Sequence, residues 1–152
     1  MATQTAFGTL NDLASRASDE AAKRLGQAIQ VSAQAQEKLN LLIDYQHDCL
    51  KQLGQRVSSG LSAGDHLNFH DFIAGIERAI SQQRQVCKCC QQADTHALEL
   101  WRASELTRLS YETLEQRQTH CALRREGRLE QKRSDEHAAR SRSTQHLSLI
   151  HI

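Results

Sequence analysis

The sequence predicts an all-α protein, a long antiparallel two-helix coiled-coil hairpin with arms of unequal length. The 152-residue chain has no proline and only 7 glycines, and aromatic residues make up 4% of it, whereas β-sheet proteins need turn residues and favour aromatic side chains. Apolar residues recur every seven positions in both halves of the chain, which is the repeat of a coiled coil. With 39% hydrophobic residues, the chain suits long helices that each bury one stripe.

Charge and cysteine content narrow the function classes. The chain has 19 basic and 18 acidic residues, a net charge of +1, so we expect no nucleic-acid partner. The start, MATQTAFGTLNDL, has neither the basic head nor the apolar run of a secretory signal. No segment is apolar for the roughly 20 residues that a membrane span needs. We therefore expect a cytoplasmic protein whose five cysteines are reduced thiols.

The first predicted helix covers about residues 6 to 55. Stepping by seven gives an apolar or small stripe of Phe7, Ala14, Ala21, Ala28, Ala35, Leu42 and Cys49. The companion stripe is predicted at Leu10, Ala17, Arg24, Val31, Lys38, Tyr45 and Gln52, with Leu25, Leu39 and Leu53 filling in where it turns polar. Together the two stripes would form the inner side of the hairpin.

The bend is predicted at about residues 54–66, where glycine and serine are densest. Asn68 and Asp71 then resemble a capping box that begins the second helix. Its stripe runs through Phe69, Ile76, Gln83, Cys90 and Ala97, with companions at Phe72/Ile73, Ala79/Ile80, Val86/Cys87 and Leu100/Trp101.

The second arm is predicted to outrun the first. If the bend centres near residue 60, position i faces about 120 minus i, and the first arm ends opposite about residue 115. The following overhang carries both charge signs. It fits either a solvated face with pairs between Glu126 or Glu130 and Lys132 or Arg133, or a charged shaft inside a partner's pore. We expect the hairpin over 1–141 and a disordered tail over 142–152.

The cysteines of the stretch VCKCCQQ at 86 to 92 are predicted to serve in helix packing rather than in metal binding or redox chemistry. Cys87 and Cys90 fall on the inward stripe, while Cys89 points away from it. A structural zinc site needs four ligands, and the residues expected opposite, 30 to 33, offer none. The eight histidines are scattered, and no HExxH, GxSxG or phosphate-binding glycine loop is present. We therefore expect no enzyme, no catalytic residues, no metal and no cofactor.

Several short segments resemble the flagellar export protein FliJ family. They are LLIDYQ at 41 to 46, NFHDFI at 68 to 73, ERAI at 77 to 80, TLEQRQ at 113 to 118 and GRLEQKRSDEHAAR at 127 to 140. Residues 5 to 140 line up with that family essentially without gaps.

The resemblance implies a non-enzymatic component of the flagellar type III export apparatus, peripheral at the cytoplasmic face of the inner membrane. Such proteins are coiled coils similar to the central stalk of rotary ATP synthases. The implied partners are the hexameric flagellar export ATPase, whose pore receives the paired helix ends, the cytoplasmic domain of the membrane export gate, and the flagellar export chaperones.

The resemblance also suggests contact residues. The export-gate surface would include Leu42, Tyr45, Phe72 and Ala79, and we expect Tyr45 and Phe72 to face one another across the hairpin. For the export ATPase, charge and position point to Arg124, Arg128, Lys132 and Arg133 in the overhang.

The last six residues, LSLIHI at 147 to 152, depart from the family. They are the translation of CTGTCTCTTATACACATC, a transposon-end adapter used in sequencing libraries, and we interpret them as an artefact of that adapter. A natural gripping tail is the other interpretation.

Three other functions stay open at this point. One is the stalk protein of a virulence-type secretion system, and another is a generic coiled-coil scaffold or chaperone without an ATPase partner. The third is a metal-binding regulator.

Overall fold

The structure, a computed structural model, describes residues 2–150, with side chains from residue 6 onward. It contains two helices, α1 (Ala2–Ser59, 58 residues) and α2 (Ala63–Ile150, 88 residues), and no strand in that range. The helices pack against each other as a hairpin, which confirms the predicted all-α fold with unequal arms. Arg16–Glu105 forms one compact unit, and residues up to Ser15 form the other with residues from Leu106 onward.

The helices are joined at residues 60–62. Gly60 has a φ of 87°, a left-handed conformation that glycine adopts without steric cost, and its amide donates to the Val57 carbonyl at 3.3 Å. Ser62 caps α2, because its Oγ accepts a hydrogen bond from the Asp65 amide at 3.2 Å.

The predicted start of the second helix at Asn68 is therefore wrong. Both Ser62 and Asn68 are followed three residues later by aspartate, but the helix begins at the first of these pairs. Gly64 does not delay it, since a glycine costs a helix only about 1 kcal/mol.

In the unit of residues 16–105, the two helices meet along a seam whose positions alternate in steps of four and three. On α1 the stripe that begins at Phe7 is confirmed, because Ala35 and Cys49 are buried and Ala21, Ala28 and Leu42 are half-buried. On α2 the seam runs through Phe69, Ile73, Ile76, Ile80, Gln83, Cys87, Cys90, Asp94, Ala97 and Trp101, all shielded from solvent wholly or in part.

The companion stripe of α1 lies one residue later than predicted. Every predicted member, from Leu10 through Tyr45 to Gln52, is exposed. The shielded positions in this unit are instead Ser18, Leu25, Ser32, Leu39, Gln46 and Leu53. Leu25, Leu39 and Leu53 belong to this observed stripe. Because serines and a glutamine occupy the positions between them, the stripe resembles a solvent-exposed surface in the sequence.

The core is thin and is built largely from medium-sized and small side chains. Its buried members are Ala35, Leu39, Cys49, Ile76, Ile80 and Cys87, and Leu42, Ile43 and Cys90 pack against them. Cys87 and Cys90 thus lie inward as predicted, and Cys89 is exposed.

Gln83 is a buried polar residue inside this core. Its Nε2 donates to the Ala35 carbonyl of α1 at 2.9 Å. Because a buried amide without a partner costs about 1–3 kcal/mol, this bond penalises any sliding of the helices that breaks it. Ser18 adds a second cross-helix bond in the unit, from its Oγ to Glu105.

Asp94 shows the opposite situation on the same seam. Its Oδ1 is buried and has no hydrogen-bond partner within the described chain.

In the other unit, the α2 side of the seam is mostly polar, whereas α1 contributes the buried Ala14. Asn11 donates its amide hydrogen to Glu115 across the helices. The shielded positions on residues 106–137 of α2 are Arg108, Tyr111, Glu112, Glu115, Gln118 and Ala122. The first arm therefore does not run out opposite residue 115, as predicted, because α1 still has nine residues before Asn11. The numbers of two facing residues add to a larger total here than near the bend. The overhang, the part of α2 that α1 does not cover, therefore begins after Ala122.

Helix α2 continues to Ile150, where the sequence predicts a disordered tail from residue 142. No glycine follows Gly127 and the chain has no proline, so nothing in the sequence ends the helix. All of residues 141–150 are exposed. Residues 151 and 152 of the terminal hexapeptide lie outside the described residues.

Neither helix of the described chain combines the length and the apolar character that crossing a membrane requires.

Replacing Gln83 by alanine should lower the free energy of unfolding by about 1–2 kcal/mol, because it removes a buried hydrogen bond and leaves a cavity. Urea denaturation followed by circular dichroism measures this. The matched control is Gln85→Ala, an exposed glutamine on the same helix, which should change stability by less than about 0.5 kcal/mol. Equal losses in the two variants would contradict a buried role for Gln83.

Candidate interaction surfaces

An exposed aromatic patch lies near the bend. The rings of Tyr45 and Phe72 meet edge to face, with centroids 6.1 Å apart and an interplanar angle of 79°. This confirms that the two residues face one another across the hairpin. Both stay accessible, at 51% for Tyr45 and 47% for Phe72, because they lie one residue outside the seam on their respective helices.

The other two predicted gate residues are more shielded. Leu42 is half-buried and packs against the core, and Ala79 is half-buried beside the seam. The exposed leucine of the LLIDYQ segment is Leu41, which is 64% exposed and lies one helical turn before Tyr45. Sequence reasoning missed Leu41, although its spacing of four from Tyr45 is the signal for a shared helix face.

Arg56 and Phe69 form a second contact across the bend. The Arg56 guanidinium carbon lies 5.1 Å from the centroid of the Phe69 ring, within the range of a cation–π interaction. Phe69 is half-buried and Arg56 is exposed. The bend thus presents a positive charge near the aromatic patch, a feature that the sequence pattern alone did not indicate.

The overhang of α2 forms the second candidate surface. Residues 123–137 are all exposed, and they include the four predicted ATPase contacts. Arg124, Arg128 and Lys132 are spaced by four, so they form one stripe that drifts about 40° around the helix per step. Arg133 lies about 100° away from Lys132, on the side that carries Glu126 and Glu130.

No metal-binding cluster emerges from the part of the chain that the structure describes. Within those residues, no three His, Cys, Asp or Glu side chains are grouped so that they could hold a metal ion. The five cysteines are all free thiols. The described surfaces present exposed rings at one site and exposed cations at the other.

Comparison with known proteins decides the family. The family model for the flagellar FliJ protein matches residues 3–146. The chain belongs to the flagellar FliJ family. Two curated members are each 38% identical to it, the flagellar FliJ protein of Escherichia coli K12 over 141 residues and that of Salmonella typhi over 142 residues. Each comparison covers 93% of this chain and 96% of the relative.

Membership confirms the resemblance and assigns the chain to the flagellum, as a component of flagellar export. It favours the flagellar family over the virulence-type stalk proteins that were left open above. The match ends at residue 146, so the hexapeptide at 147 to 152 lies outside it.

The Tyr45–Phe72 contact should contribute a measurable coupling energy. In a double-mutant cycle with Tyr45→Leu and Phe72→Leu, we expect a coupling of about 0.5–1.5 kcal/mol, because leucine keeps apolar bulk but loses the edge-to-face geometry. Urea denaturation of the four proteins measures it. Fully additive effects would show that the rings do not interact in solution.

Proposed function

We propose that this protein is a non-enzymatic stalk of the flagellar type III export apparatus. In this proposal the overhang of α2 enters the pore of the hexameric export ATPase, and the aromatic patch docks on the cytoplasmic domain of the export gate. The observation that carries the proposal is the end of packing at Ala122, beyond which α2 continues to Ile150. Because α1 does not pack on this last part of α2, its surface is available to another protein.

The charge of the overhang suits an acidic pore lining. Its cations are Arg124, Arg125, Arg128, Lys132, Arg133, Arg140 and Arg142, against the anions Glu126, Glu130, Asp135 and Glu136. Arginine and lysine in water are strongly solvated, and a surface pair contributes little. In a narrow pore with less water the same charges interact more strongly, so the stripe of Arg124, Arg128 and Lys132 would gain most of its binding energy there.

The aromatic patch suits a different kind of partner. Tyr45 and Phe72 present two large rings that their mutual contact already orders, so that binding would cost little side-chain entropy. Aromatic residues of this kind are enriched among the few side chains that dominate interfaces. Docking on a membrane-bound gate would hold the protein at the cytoplasmic face of the inner membrane. Escort of empty export chaperones, which the family resemblance implies, completes the proposed role.

Reversing the charge of the stripe should abolish stimulation of the ATPase. We expect the variant with Arg124→Glu, Arg128→Glu, Lys132→Glu and Arg133→Glu to fail to raise ATP hydrolysis by the export ATPase of the same organism, because like charges then meet in the pore. Phosphate release, with the protein titrated against the ATPase, is the measurement.

The matched control reverses four exposed cations elsewhere on α2. Arg84, Lys88, Arg102 and Arg117 are all exposed, and their replacement by glutamate changes the net charge equally. This control should retain stimulation. If the wild type stimulates and the overhang variant does so equally well, the overhang is not the ATPase contact. If the wild type has no effect on the ATPase, a generic scaffold or chaperone becomes the better description.

Removing the two rings should weaken binding to the gate. Tyr45→Ala with Phe72→Ala should reduce affinity for the isolated cytoplasmic gate domain by at least about 30-fold, the effect of losing an interface hot spot. Isothermal titration calorimetry measures it, with Ile29→Ala as control because Ile29 is an exposed apolar residue on the opposite edge of α1. A comparable loss in the control would refute the assignment to the rings.

A further inference from the structure

Helix α2 has a second face, next to the seam, whose side chains are mostly exposed. One stripe, spaced by seven, begins at Phe72 and lies next to the seam. Its members in the unit of residues 16–105 are Phe72, Ala79, Val86, Ala93 and Leu100. All five are apolar, and all except the half-buried Ala79 are exposed.

A second stripe, interleaved with the first, also lacks Asp, Glu, Lys and Arg but includes two polar residues. Its members are Gly75, Gln82, Cys89, His96 and Ala103. Together the two stripes, here called the neutral face, alternate in steps of three and four, which is the spacing of a second coiled-coil seam. The neutral face is centred about 100° around the helix from the seam that packs on α1.

The neutral face contains no Asp, Glu, Lys or Arg, although such residues make up 24% of the chain. The charges of this part of α2, such as Glu77, Arg84, Lys88 and Arg102, lie on the other exposed positions. A solvated helix surface has no physical reason to keep ten successive face positions free of charge. The pattern is typical of a surface that another helix covers.

The neutral face is complementary to itself in the antiparallel direction. With a two-fold axis at Cys89, residues whose numbers add to about 178 meet one another. Val86 then meets Ala93, and Ala79 meets Leu100, so that Val86 and Leu100 each face a small side chain. Such alternation of large and small residues lets two helices interdigitate.

The polar residues of the neutral face and the charged residues at its border also fit this register. Gln82 meets His96, so the two polar side chains of the face can hydrogen-bond to each other. On the border, Arg78 meets Glu99, and both are exposed. The Arg78 guanidinium already lies beside the face, since its Nη2 is 3.9 Å from where a Cβ on Gly75 would stand. A two-fold axis makes each of these contacts twice.

We infer that the neutral face binds a second copy of this chain, giving a reversible antiparallel dimer in which α2 packs on α2 with Cys89 at the two-fold axis. The neutral face is about 45 Å long at 1.5 Å per residue and about 10 Å wide. The dimer would therefore bury about 1,000 Å² in total, at the lower limit for specific interfaces.

The dimer and the gate complex exclude each other. Phe72 and Ala79 belong to the neutral face, so a dimer covers part of the surface that we propose for the gate. This consequence rests on the proposed function, whereas the dimer itself can be tested with the chain alone.

Sedimentation equilibrium of the full chain tests the dimer directly. We expect the dimer fraction to rise over roughly 5 to 200 μM, as suits so small an interface. Ala93→Glu should abolish the dimer, because it places two carboxylates near the axis. The control Thr95→Glu adds the same charge at an exposed position about 120° from the centre of the face and should leave the dimer intact. A monomer throughout this range, or a dimer that Ala93→Glu does not change, would overturn the inference.

Two further variants test the register. Diamide accepts two electrons and two protons from a pair of thiols, which join as a disulfide when their Cβ atoms can approach to about 4 Å. It should cross-link Cys121→Ser into a covalent dimer but not Cys89→Ser, although Cys121 is also exposed. Arg78→Glu should weaken the dimer at least about fivefold, and adding Glu99→Arg should restore it. Dimerisation through the face without cross-linking and without rescue would overturn the register.

Discussion

The structure depends on one constraint, the alternating four- and three-residue seam that holds α1 against α2. Because much of the seam is alanine, serine, cysteine and glutamine, little apolar surface is buried. The register of the two helices therefore depends on side-chain shape and on polar contacts as well. Gln83 is the clearest case, since its amide reaches the Ala35 carbonyl at 2.9 Å in an otherwise apolar core. A buried polar residue that specifies register at some cost in stability is a known device of coiled coils.

The register decides what each surface can present. One residue outside the seam, Tyr45 and Phe72 come level with each other, so two rings that are 27 positions apart in the sequence become one patch. In the other unit, the bond between Asn11 and Glu115 sets how far along α2 the first helix reaches, and therefore where the uncovered part begins. The same small side chains that allow close helix packing inside the hairpin recur on the neutral face, at Gly75, Ala79 and Ala93.

The sequence was sufficient for the fold and for the pairing near the bend, because the stripe from Phe7 to Cys49 and the stripe from Phe69 to Ala97 are dominated by small and apolar residues. It failed for the companion stripe, since Ser18, Ser32 and Gln46 resemble surface residues until their partners are known. The helix start was misplaced because Ser62 and Asn68 both look like caps. For the proposed gate surface, the sequence suggested Tyr45 and Phe72 and placed Leu42 on the inward stripe of α1, but it gave no reason to choose the exposed Leu41. Tyr45 itself is exposed because the companion stripe lies one residue later than predicted.

Amide hydrogen exchange on the chain with and without the export ATPase tests the central proposal. The proposal is that the part of α2 not covered by α1 binds the ATPase. A helix held only by its own hydrogen bonds opens easily. The amides of residues 124–140 should therefore exchange fast in the free protein, whereas those of the core around Ile76 and Ile80 exchange slowly. Adding the ATPase should protect residues 124–140 and leave the core unchanged. Protection that appears elsewhere in the chain, with residues 124–140 still exchanging fast, would contradict the account.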